Sequence, residues 1–205
     1  MWRMNRNSPY GRDNDGNSSD VARERRVPRP LDAARLNEMG LAYVARFATS
    51  AGKLAIYLRR KLRERGWEGE AAPDIDSLIE KFVAAGYVDD AGFARAKAHG
   101  LMRRGYGARR IDQTLGAAGI AEDLRDEARG TEAQRRQAAL TMARKRRFGP
   151  FAREGRGEGA GLDPATREKQ VAALLRAGHC LDYARKVVNA VSEQVLDEWI
   201  DEIPD

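Results

Sequence analysis

Few side chains in this chain could carry covalent or acid-base chemistry. The candidates are the adjacent carboxylates Asp89 and Asp90, the histidines His99 and His179, and Cys180, the sole cysteine. Paired carboxylates can exchange protons or hold a divalent cation, and a His-Cys dyad can generate a thiolate nucleophile. The spacing fits neither. Adjacent side chains at a helix start diverge, so Asp89 and Asp90 read as an N-cap and a first-turn acid at the positive end of the helix dipole. Neither histidine stands at ligand spacing from a second histidine or a cysteine pair, and His179-Cys180 reads as packing at a helix start. Gly105-Tyr106-Gly107 could cradle a phosphate with backbone amides, but it lacks the further glycines and the lysine of a nucleotide loop, so a turn between helices is expected. No catalytic residue, cofactor or metal is expected.

Arginine is what the chain has in quantity. Its 37 Lys+Arg against 31 Asp+Glu give a net charge of +6, unevenly spread. Residues 1–30 hold seven arginines and four acids, and residues 192–205 hold six acids and no base, which leaves residues 31–191 at +9. An excess of this kind favours a polyanion such as nucleic acid, through phosphate contacts that release counterions, and it also serves solubility. The candidate contacts are Arg59, Arg60, Arg63, Arg95, Arg103, Arg104, Arg109 and Arg110, extended by Arg144, Lys145, Arg146 and Arg147. The last four precede Phe148-Gly149-Pro150-Phe151, whose rings could stack on bases or pack on a partner.

Helices must position these cations. Three segments pass through Leu-x3-Gly, from Leu62 to Gly66, Leu115 to Gly119 and Leu174 to Gly178, with the glycines 53 and 59 residues apart. That period suits tandem units of about three short helices, and a glycine there suits the left-handed residue after a helix. The expected architecture is all-α, with units at 31–86, 87–130 and 131–191. A disordered basic leader precedes them at 1–30, a flexible glycine-rich insertion falls at 148–163, and an acidic tail follows at 192–205.

Within the first unit Leu36, Met39, Tyr43 and Phe47 form one apolar stripe and Leu54, Leu58 and Leu62 a second, with Arg59, Arg60 and Arg63 on the opposite side. Ser50 offers the cap between them, and Asp74 starts a third helix with Ile75, Leu78, Ile79, Phe82 and Val83 on its buried face, ended by Gly86. Thr131 and Gln134 make a capping box, and Asp163-Pro164 a cap with a first-turn proline. Leu181, Ala184, Val187, Val188 and Val191 supply the apolar face of a later helix. In the tail Val195, Leu196, Trp199 and Ile200 form an amphipathic pattern suited to packing on the third unit.

The stretch Gly86-Tyr87-Val88-Asp89-Asp90-x2-Phe93-Ala94-Arg95 and the following Gly105-x-Gly107-x2-Arg110-Ile111-x3-Leu115-x3-Gly119-Ile120, with the threefold Leu-x3-Gly pattern, resemble the RecX family of recombination regulators. The likeness spans about Leu31 to Val191 and is most specific in the middle unit. It implies three tandem three-helix repeats in an elongated, curved solenoid that binds the RecA recombinase filament on single-stranded DNA and suppresses ATP hydrolysis and strand exchange. Tyr87, Asp89, Phe93, Gly105, Gly107, Leu115 and Gly119 would hold the middle repeat in shape. The chain departs from the family pattern where Lys53 replaces a common acid, where His179 occupies a usually aromatic position, and in a longer second helix in the first repeat.

No run approaches the roughly 20 apolar residues of a bilayer span. Residues 1–30 lack a signal-peptide core, and the lone cysteine suits a reducing compartment, so a cytoplasmic protein is expected. Nothing in the pattern demands a dimer, and a monomer is expected. The alternatives are a duplex-DNA-binding transcriptional regulator, since three-helix units can offer a recognition helix to the major groove, and a protein-interaction scaffold without DNA affinity.

Overall fold

Seven side chains set the starts of the helices. Asp32, Ser50, Asp74, Asp89, Thr131, Asp163 and Ser192 each accept a hydrogen bond from the backbone N–H three residues on, satisfying one of the donors a helix start leaves open. At Thr131 the box is reciprocal, with Gln134 Oε1 accepting from the Thr131 N–H. The structure, a computed structural model, describes residues 29–152 and 163–202. Residues 1–28 of the basic leader and 153–162 of the glycine-rich segment therefore lie outside the described residues.

The described chain forms α1 (Ala33–Arg46), α2 (Ala51–Arg65) and α3 (Ile75–Ala84), then α4 (Asp90–Met102), α5 (Ala108–Gly116) and α6 (Glu122–Glu127). These are followed by α7 (Glu132–Arg146), a 3-10 turn at Gly149–Phe151, α8 (Pro164–Arg176), α9 (Leu181–Asn189) and α10 (Glu193–Asp201). Among the described residues the sole β-type pairing is an isolated bridge between Leu31 and Trp67, which ties the chain entering α1 to the end of α2. Buried side chains gather in three cores, the second taking in Ala138 of α7 and the third residues of α10. Leu36, Leu54, Leu58, Ile79 and Phe82 meet in the first, Ala94, Leu101, Ile111, Leu115 and Ile120 in the second, and Leu140, Leu174, Val187, Leu196 and Trp199 in the third.

The glycines of the Leu-x3-Gly segments all have positive φ, at 81° for Gly66, 75° for Gly119 and 96° for Gly178. In the second and third units the chain closes on itself identically. Ile120 N–H returns to the Leu115 carbonyl and His179 N–H to that of Leu174, both at 3.1 Å. The first unit departs from this pattern. Gly66 is itself the cap, its N–H bonds Leu62, and Leu62 is half-buried while Leu58 is fully buried.

The units join through the ends of their second helices. Past the C-terminus of α8, the carbonyls of Ala177 and Gly178 accept from the N–H groups of Gly107 and Arg109 at the start of α5, at 3.0 and 3.1 Å. Past the C-terminus of α5, the Ala118 carbonyl accepts from Ser50 Oγ at 2.5 Å at the start of α2. So α8 feeds α5, and α5 feeds α2, positive end against negative end. Both joints are close-packed. A Cβ on Gly52 would stand 2.8 Å from the Ala118 carbonyl oxygen, and one on Gly107 would collide with the Gly178 carbonyl group.

Several residues leave the faces that periodicity assigns them. Phe47 is the C-cap of α1 and 53% exposed, because the helix ends one residue before it could turn inward. Val83 is 47% exposed beside the buried Phe82, and Val191 lies beyond the end of α9 at 89% exposure. Phe148 and Phe151 pack against the third core. The 3-10 turn between them is pinned by the Gly149 N–H to Gln170 Oε1 bond at 2.8 Å, so residues 148–152 belong to the packed unit and not to a flexible insertion. The tail helix packs as its pattern predicts, with Leu196 buried and the Trp199 ring 4.7 Å from the Arg136 guanidinium.

Candidate nucleic-acid and protein interface

The twelve candidate cations fall into distinct surroundings. Arg59 is tied to Asp76 at 2.6 Å, Arg60 approaches Glu64 at 3.6 Å, and Arg144 pairs with Asp197 of the tail helix at 3.0 Å. Exposed pairs of this kind are weak and can be exchanged for another anion. Arg63, Arg95, Arg103, Arg109, Arg110, Arg146 and Arg147 are exposed and have no acidic partner among the described residues. Arg147 is also the one non-glycine described residue at positive φ, 58°, where it caps α7. The run from Arg144 to Arg147 winds through a full helical turn, so its four charges do not share one face.

Two groups do converge. Lys97, Arg103 and Arg104 line a groove of about 530 Å³ along α4. Lys145 reaches across from α7 to the Arg103 carbonyl at 3.4 Å, which brings a third-unit cation to the second-unit cluster. The second group lies at the joint between α5 and α8, where Arg109, Arg129 and Arg135 surround a cleft of about 420 Å³ with Gly178, His179, Cys180 and Tyr183. Arg129 and Arg135 are held by Asp126 and Glu132 at 2.8 Å each, leaving Arg109 as the cleft cation with no acidic partner among the described residues. Lys97, Arg129 and Arg135 are not among the sequence candidates, and each joins its group only through the fold.

Below the cleft, Glu132 accepts from the Tyr183 hydroxyl, from Arg135 and from Arg136. These donors, Tyr183 foremost, hold its carboxyl down at about 2. The Tyr183 hydroxyl is pushed up by burial and by the same carboxylate. His179 is 5% exposed and its Nε2 sits 3.0 Å from the Gly105 carbonyl. A carbonyl only accepts, so Nε2 carries the proton, and burial lowers the imidazole pKa below its ordinary range. His179 thus acts as a strut between units, and Cys180 beside it is exposed.

The residues that carry the sequence motif have structural tasks. Asp89 caps α4, and the Asp90 carboxylate accepts from the Ala51 N–H at 2.8 Å, so the two acids bind different helix starts. Phe93 packs on the second core beneath the Lys53 ammonium, 5.4 Å from the ring centre. Ile111 and Leu115 are buried. Gly105, Gly107 and Gly119 lie at the joints, and Gly86 takes a φ of 74° after α3. Tyr87 is 58% exposed with its ring against Phe82, so it serves the first unit.

No helix among the described residues is long and apolar enough to cross a membrane. The family profile described as the second three-helix domain of RecX matches residues 89–128, which are α4 to α6. The regulatory protein RecX of Myxococcus xanthus is 31% identical over 171 residues, covering 80% of this chain and 89% of that protein. That of Deinococcus radiodurans is 32% identical over 166 residues, covering 74% and 78%. The crystal structure of RecX from Lactobacillus salivarius superposes with a TM-score of 0.58 at 17% identity, over 83% of this chain and 97% of that one. Shared sequence over four-fifths of its length, and the same helical-repeat fold in a solved relative, place this chain in the RecX family of regulatory proteins.

Proposed function

We propose that this protein binds the RecA recombinase filament on single-stranded DNA in the cytoplasm and restrains its ATP hydrolysis and strand exchange, acting as a monomer and without chemistry of its own. The reading rests on family membership and on one observation. Arg63, Arg95, Arg103, Arg109 and Arg110 stand exposed and unpaired among the described residues, on units whose second helices run end to end. A line of repeats suits a long, helically repeating partner better than a single small ligand. Free guanidinium groups along it complement phosphates or an acidic protein surface.

The test is the ATPase rate of the cognate RecA on single-stranded DNA while this protein is titrated at substoichiometric levels, with binding to the same DNA followed separately. The rate should fall well before this protein saturates the DNA. Replacing Arg103, Arg104, Arg109 and Arg110 by Glu should abolish the effect with the fold intact. Unchanged inhibition would remove the middle unit from the contact. No effect of the unmodified protein, together with sequence-specific protection of duplex DNA, would favour a duplex-binding regulator.

A further inference from the structure

The first unit carries an aromatic cluster that packs on its core through Tyr43 and Tyr57 and reaches the surface at Phe47. The Tyr43 and Tyr57 rings stack with centres 4.2 Å apart and 20° between their planes, joining α1 to α2, and Phe47 stands 5.2 Å from Tyr43. Phe47 is 53% exposed, both tyrosines are half-buried, and neither hydroxyl has a partner among the described residues. Cations border the rings. The Arg46 guanidinium lies 5.9 Å from the Phe47 centre, with Arg60 at 5.7 Å and Lys61 at 6.0 Å from that of Tyr57. Arg60 and Lys61 are drawn toward Glu64, whereas Arg46 and Arg63 have no acidic partner among the described residues.

We infer that Phe47, with the Tyr43–Tyr57 stack behind it and Arg46 beside it, is a stacking platform for unpaired bases of single-stranded nucleic acid. The inference rests on the nucleic-acid part of the proposed function and adds to it a site, a unit and a mode of contact. Exposed rings alone would fit any apolar partner, and it is the cationic border that selects one. A nucleic-acid strand is polyanionic and presents a flat ring at every residue, so stacking on Phe47 brings the adjoining phosphates toward Arg46. A duplex keeps its bases stacked internally and offers this face only phosphates. An apolar protein surface would gain nothing from Arg46, Arg60 and Lys61.

Fluorescence anisotropy of the full chain with a labelled oligothymidylate, and with an abasic phosphodiester of equal length, separates the two contributions. Phe47→Ala should weaken oligothymidylate binding by about fivefold or more and leave abasic binding unchanged, and Phe47→Trp should restore it. Phe47 is too exposed for its truncation to unfold the unit, which a thermal melt checks. Equal losses on both ligands, or no loss on oligothymidylate, would overturn the platform. Recombinase inhibition by the same variants is read separately, so persistence of inhibition alongside a failed base-stacking test would discard this site without touching the proposed function.

Discussion

Gly107 and Gly178 meet main chain to main chain: a Cβ on Gly107 would fall within the carbonyl group of Gly178, and one on Gly178 would press into the backbone of Arg110. This contact lets α8 hand its terminal carbonyls to the first N–H groups of α5.

Gly66, Gly178 and Gly107 should therefore differ in their tolerance of alanine. Gly66→Ala meets nothing within 4 Å and incurs only its positive φ, a cost of about 1 kcal/mol. Gly178→Ala adds a backbone collision to the same strain and should cost about 3 kcal/mol or more. Gly107 has an ordinary φ of −83°, so a loss of about 2–4 kcal/mol in Gly107→Ala would be purely steric. Urea unfolding of the three variants checks the order.

At the other joint, Ser50→Ala removes a helix cap and the partner of the Ala118 carbonyl at a fully buried position, and should cost about 2–3 kcal/mol. Asp90→Asn keeps an acceptor for the Ala51 N–H and should cost less than Asp90→Ala. Equal costs in the two Asp90 variants would show that the Asp90–Ala51 bond contributes little.

His179 should make the α5–α8 joint sensitive to acid. Its folded pKa lies below the ordinary 6.5, so the stability it contributes is complete above 6.5 and is lost as the pH falls through the folded value. His179→Phe should flatten the fall in stability below pH 6.5, at a cost of about 1–3 kcal/mol for the Gly105 carbonyl it leaves unpaired. Denaturant midpoints measured against pH decide the matter.

Glu132 responds in a lower window. Its carboxyl is depressed from 4.5 to about 2, so its contribution is present above 4.5 and disappears as the pH approaches 2. The side chain is about a third exposed, and screening reduces the effect. Glu132→Gln should cost about 1–2 kcal/mol at pH 7, with the difference from the unmodified protein closing toward pH 2, as read by thermal melts at intermediate pH values.

Local signals made much of this architecture legible. Ser50, Asp74, Asp89, Thr131 and Asp163 are short polar side chains just before apolar periodicity, and each caps the helix it announces. Periodicity does not locate α6, because six residues complete fewer than two turns and bury no side chain fully. It also misplaces Phe47 and Val191, since a repeat of apolar spacing carries no information about the residue at which the backbone leaves the helix. The candidate interface was legible as charge and opaque as arrangement. Whether Arg59 faces Asp76, Arg144 faces Asp197, or Arg109 faces no acid among the described residues depends on elements far apart in sequence. The glycines carried two meanings, of which only the local one, a helix end, could be read without the neighbouring unit.

The joints between units are made largely of peptide groups and of positions with no room for a side chain, at Gly52 against Gly119 and Gly107 against Gly178. Evolution can then redraft the interior of each unit freely, provided a few small residues stay in place. The spacing from one unit to the next is then held by main chain, whose geometry a change of side chain inside a unit leaves in place.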